Sequence, residues 1–124
     1  MRAALLAHAP LIALLQGHHV YEESPRGAKE PFVSFGAIET RDWSVADQKA
    51  HEHFVTLEIR TNQRSRKLAQ DIASEIEAAL DDANLPLAGH SLINLRLVFW
   101  TVARDKAAEN FNATLRFRAA TEPL

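Results

Sequence analysis

Three features of the sequence predict an α+β fold, with a mostly antiparallel sheet of about four to five strands and helices packed on one face. The stretch FVTLEIR, residues 54–60, alternates apolar and polar side chains with a period of two, as a half-buried strand must. Residues 65–83 repeat their apolar side chains at helical spacing. Short links between the strand candidates near both chain ends favour antiparallel neighbours over crossovers. With 124 residues and no linker, internal repeat or low-complexity tract, residues 1–124 are expected to form a single domain.

Leu5, Leu6, Leu11, Ile12, Leu14 and Leu15 recur at helical spacing over residues 2–16, where Pro10 requires a kink or the first turn of a second short helix. Gly17 closes that segment. HHVYEE is a short strand candidate, and the prolines and glycine of SPRGAKEP mark a turn-rich connection. PFVSFGAIE resumes an extended pattern in which Gly36 predicts a bulge. The polar TRDWSVADQKAHE is a long loop or the flared tip of a hairpin.

In FVTLEIR, Val55, Leu57 and Ile59 share one face, and Thr56, Glu58 and Arg60 the other. The following helix gathers Leu68, Ile72, Ile76 and Leu80, with Ala69, Ala73, Ala79 and Ala83, on one arc, and Ser65 is its natural N-cap. After the NLPLAG turn, SLINLRLVFWTVA predicts a long strand with Ile93, Leu95, Leu97 and Phe99 inward and Asn94, Arg96, Val98 and Trp100 outward. RDKAAEN turns the chain. FNATLRFRA then puts Phe111, Ala113, Leu115 and Phe117 inward and Asn112, Thr114, Arg116 and Arg118 outward.

The 14 Lys and Arg against 16 Asp and Glu give a net charge of -2, which argues against a protein that coats nucleic acid. No cysteine is present, so disulfides, thiol nucleophiles and thiolate metal sites are excluded. The opening MRAALLAHAPLIALL looks like a signal peptide, but His8 and Pro10 interrupt it and no cleavage site follows. No apolar run approaches the roughly 20 residues of a membrane span, so a cytoplasmic protein with no membrane partner is expected.

His51 and His53 would share one side of a strand, a spacing some zinc sites use, with Glu52 opposite. Two ligands do not make a site. His8, His18, His19 and His90 lie in segments with no motif directing them there, so solvated histidines at the base of a hairpin are the simpler reading and no metal is assigned. There is no GxSxG, HExxH or glycine-rich phosphate loop. No catalytic residue or cofactor is therefore assigned, and a small metal-dependent or hydrolytic enzyme, or a nucleic-acid-binding module, stands as the alternative reading.

The run RTNQRSRK supplies Arg64, Arg66 and Lys67 at the start of the helix, and Asp81 and Asp82 lie past its end. A helix dipole favours the reverse, so each charge is unfavourably placed by roughly 0.3 to 1 kcal/mol before screening. A head-to-tail ring of identical subunits would give both ends complementary partners. Trp43 sits in the polar insertion as an interface anchor type. On the outward sheet face Val98, Trp100 and Val102 are unusual for a merely wet surface, so Trp100 is a second candidate contact.

From LLAHAPLIALLQGHHVYEESPRGAKEPFVSFG through HFVTLEIRT, RKLAQDIASEIEAAL, LPLAGHSL and a last strand pair split by a charged turn, residues 3–120 resemble the tail-terminator, or tail-completion, proteins of long-tailed phages and phage-derived gene transfer agents. The order of helix, VY, P-x-G-A and PFV carries the likeness. The resemblance implies a virion protein forming a six-fold homo-oligomeric ring at the head-proximal end of the tail tube. That ring would halt tube growth and join the tail tube protein to the head connector. It also implies no enzymatic activity and no cofactor, with DNA passing through unbound, and assembly in the cytoplasm before incorporation into the particle.

Overall fold

A computed structural model describes residues 1–62, 66–105 and 110–124. Pro10 lies in the first turn of the second of two short helices, α1 (Arg2–Leu6) and α2 (Ala9–Leu15), where its missing N–H costs nothing. Next come β1 (Val20–Tyr21), β2 (Phe32–Asp42), β3 (His51–Arg60), α3 (Arg66–Leu80), β4 (His90–Asp105) and β5 (Asn110–Pro123). They build one five-stranded sheet in the order β1-β2-β3-β5-β4. The α+β class and the mostly antiparallel sheet agree with the sequence reading.

The exception is β1, which runs parallel to β2 where antiparallel neighbours were expected. Residues 22–31 carry the chain back to the starting end of the sheet, so β2 sets out beside β1 in the same direction, and Val33 N–H donates to His19 O at 2.9 Å. The bulge expected at Gly36 is present as a register shift between Phe35 and Ile38. β2 then continues to Asp42, and the polar insertion is a hairpin tip closed by Trp43 N–H to Ala50 O at 2.9 Å.

The helices all pack on one face. Val55, Leu57 and Ile59 of β3 and Ala113, Leu115 and Phe117 of β5 meet Ala69, Ile72, Ala73, Ile76 and Leu80 of α3 in a core that Leu5, Leu11 and Leu15 extend. The helical arc read from the sequence is thus the buried arc. The expected Ser65 cap lies outside the described residues.

β4 departs from its predicted alternation. Two register shifts, between Leu92 and Asn94 and between Leu97 and Phe99, leave Ile93 and Val98 as extra residues without a partner on β5. A one-residue insertion moves every following side chain to the opposite face. Leu95 is buried as expected, but Ile93 and Phe99, expected inward, are 46% and 54% exposed. Beyond the second bulge Phe99 pairs with Arg116 on the outer face, while Trp100 pairs with Leu115 and Val102 with Ala113 on the helix side. Trp100 and Val102, expected outward, therefore belong to the opposite face.

Candidate assembly surface

The outer sheet face has no helix over it. Alternation on β2, β3 and β5 brings Glu39, Arg41, Glu52, Phe54, Arg116 and Arg118 together there. Arg116 and Arg41 lie over the Phe54 ring, at 4.7 and 5.6 Å from its centroid, both within cation–π range. Glu39 pairs with Arg116 at 3.6 Å and with Arg41 at 3.7 Å. Arg118 Nε donates to Glu52 Oε2 at 2.6 Å while its guanidinium lies 4.9 Å from the Trp43 ring.

Charges on this face are thus largely satisfied within it, whereas its apolar groups are not. Val98 and Phe99 are half exposed beside Phe54 and Trp43 is 44% exposed, so the face offers aromatic and aliphatic area framed by arginines. That composition is the one protein interfaces favour. Arg116 Nε adds a buried N–H with no partner among the described residues, a group whose neglect costs free energy in an isolated subunit.

Other candidates are not brought together. Arg66 and Lys67 begin α3 and Asp81 and Asp82 follow its end, about 20 Å away along the axis. Lys67 Nζ donates to Asp71 Oδ2 at 2.8 Å, and Arg66 lies 5.3 Å from the Phe111 ring. Asp81 has a task inside the subunit: its Oδ1 accepts Leu97 N–H at 2.8 Å and Arg96 Nε–H at 3.2 Å. Asp82, in the left-handed region at φ 60, donates its N–H to Leu95 O at 2.7 Å, so the end of α3 caps one stretch of the β4 edge. Arg64 lies outside the described residues.

His51 and His53 do share one side of β3, with ring centroids 6.3 Å apart. Both nitrogens of His53 are engaged by threonine hydroxyls, Thr40 Oγ1 at 3.0 Å and Thr121 Oγ1 at 2.9 Å. Burial, followed by the nearby His51 and His90, lowers its pKa from the ordinary 6.5. No group of three or more potential ligands is arranged to hold a metal ion among the described residues. His53 instead borders an apolar cleft of about 330 Å³ on the helix side, lined also by Ile38, Leu87 and Leu92.

Sequence reasoning found Trp43, Val98 and the arginines of β5 but missed Phe54 and Phe99. Phe54 was readable, because it is an aromatic out of phase with Val55, Leu57 and Ile59. Phe99 was not, since nothing in SLINLRLVFWTVA marks which residue bulges.

Compared with known proteins, the chain matches over residues 1–122 the profile of a family described as tail completion protein gp17. Among solved structures it resembles a chain in the virion of a native gene transfer agent (GTA) particle, with a TM-score of 0.87 and 28% identity, over 97% of this chain and 90% of that one. No curated protein sequence matches it.

Proposed function

Because the chain belongs to the tail completion protein gp17 family, whose members are structural proteins of phage-like tails, we propose that it forms a six-fold ring at the head-proximal end of the tail tube. There it ends tube growth and joins the tail tube protein to the head connector. Assembly takes place in the cytoplasm before the protein enters the particle. The observation that carries this reading is the uncovered sheet face, where Phe54, Val98, Phe99 and Trp43 stand among arginines already paired with their own glutamates. Such a face gains by meeting protein rather than phosphate. The net charge of -2 supports passage of DNA through the ring without binding. Likeness to a chain of a gene transfer agent virion supports a place in a particle of that kind.

Within this reading the site residues take distinct parts. Trp43 and Trp100 anchor contacts to a neighbouring ring member or the tube, and Arg64, Arg66, Lys67, Asp81 and Asp82 provide the charged rim. The test is Phe99→Asp, which places a charge at the centre of the apolar patch without touching the buried core. It should fold with the parent's circular dichroism yet yield tails of uncontrolled length without heads by electron microscopy. Normal tails would remove the outer face from assembly.

A further inference from the structure

The sheet has two open edges, and each is only partly closed from within. On β2, β1 covers Val33 and Ser34. On β4, Asp81 and Asp82 cap Leu95 and Leu97. Open stretches include residues 36–41 on one edge and 99–104 on the other, whose outer backbone groups have no hydrogen-bond partner among the described residues. Unpaired edges of this kind are templates for a further strand unless blocked. Each also carries an exposed apolar side chain, Ile38 at 59% and Phe99 at 54%.

From these observations we infer that residues 99–104 of one subunit pair antiparallel with residues 36–41 of the next, so that the sheets of a ring are continuous across every seam. The inference rests on the ring reading above and names its interface. Three independent features fit it. First, direction: β2 and β4 run antiparallel within the subunit, three antiparallel pairings apart, and rotation about a ring axis keeps every strand's sense. The seam is then antiparallel as well, the commoner arrangement.

Second, faces. On both edges the outward-pointing backbone belongs to residues of the helix-side face, as Val33 N–H and Leu97 N–H demonstrate. Carrying the alternation across each bulge makes Ile38 and Thr40 outward-pointing on β2, and Trp100 and Val102 on β4. Pairing these residues keeps the helix face continuous with the helix face. The centred register sets Ile38 opposite Val102 and Thr40 opposite Trp100, and on the outer face Arg41 opposite Phe99 and Glu39 opposite Thr101. Ile38 gains an apolar neighbour and Phe99 a cation, both favourable cross-strand pairs.

Third, stagger. Through the ladder Val102 lies level with Ala113 and Ile59, whereas Ile38 lies level with Val55, so the two open segments are offset along the strands by Ile59 to Val55. That offset is about 13 Å, and the four strand spacings from one subunit's β2 to the next amount to about 19 Å. A closed ring absorbs such a stagger by tilting its strands about 35° from the axis, at the edge of the 35–45° typical of closed sheets.

The chain has no cysteine, so disulfide trapping reads the seam directly. Glu39 and Thr101 are exposed and lie opposite each other between hydrogen-bonded pairs, where side chains approach most closely. The double variant Glu39→Cys with Thr101→Cys, oxidised in tails or in associated protein, should give a ladder of linked multimers on non-reducing gels, and each single variant should stay monomeric. The pairs Arg41→Cys with Thr101→Cys and Ala37→Cys with Thr101→Cys test the registers two residues away on either side, and a ladder from either also supports the seam. Association by sedimentation with no ladder from any pair overturns the seam and spares the ring. Absence of association in solution and in tails overturns both.

Discussion

At the scale of single residues, His53 shows how far a side chain's chemistry is set by its seat in the sheet. The sequence placed it beside His51 and on the same side, which the structure bears out, but the threonines at its two nitrogens come from β2 and β5 and were invisible along the chain. Its lowered pKa means that the folded protein holds that proton less tightly than the unfolded chain does. Its contribution to stability is therefore complete above about pH 6.5 and is lost as the pH falls from there toward the lower folded value. In denaturant unfolding between pH 7.5 and 5, the parent should lose more stability than His53→Gln, whose amide keeps hydrogen bonds to both hydroxyls but does not titrate. Parallel pH profiles would show that the ring is as readily protonated in the folded state as in the unfolded one.

Elements differ in how openly the sequence declares them. α3 was legible because nothing interrupts its period, and every residue of its apolar arc that the structure buries falls on Ala69, Ile72, Ala73, Ile76 or Leu80. β3 was legible for the same reason. β4 was legible as a strand but not in its facing, since a bulge is a local choice of backbone that costs little and leaves the sequence unmarked. The parallel β1 was likewise hidden, because two residues carry no directional signal and the long connection allows either sense. For α3 the burial has a measurable consequence: Ile72 and Ile76 are fully buried between helix and sheet. Ile72→Ala or Ile76→Ala should each lower unfolding free energy by about 2 to 5 kcal/mol, the range for large-to-small changes in a packed core. A loss below about 0.5 kcal/mol, typical of surface substitutions, would mean that α3 contributes little to the core.

For the whole molecule, the reversed polarity of α3 separates an assembly protein from a solitary one, and the structure sharpens how it is tested. Its first turn holds no acid and its last turn no base. If Arg66 and Lys67 meet an acidic rim on the neighbouring subunit, the attraction exists only in the assembly and offsets the unfavourable dipole there. Within the subunit Lys67 pairs with Asp71, an exposed i,i+4 pair worth about 0.3 to 0.5 kcal/mol. Arg66→Glu with Lys67→Glu forfeits that pair and the contact of Arg66 with the Phe111 ring, and relieves the dipole conflict at both positions, a gain of similar size, so monomer stability should change little. Self-association should weaken, most at low salt, where exposed charges are least screened. The compensating change belongs at Asp82 alone, because Asp81 accepts the Leu97 N–H and Arg96, and its loss would release the capped edge of β4. Asp82→Lys, exposed at the opposite end of the helix, should restore part of the association in the triple variant. Sedimentation at matched protein concentration and two ionic strengths reads each step. Undiminished association of the double variant at low salt would make these charges ordinary solvated surface, leaving assembly to the outer face and the strand edges.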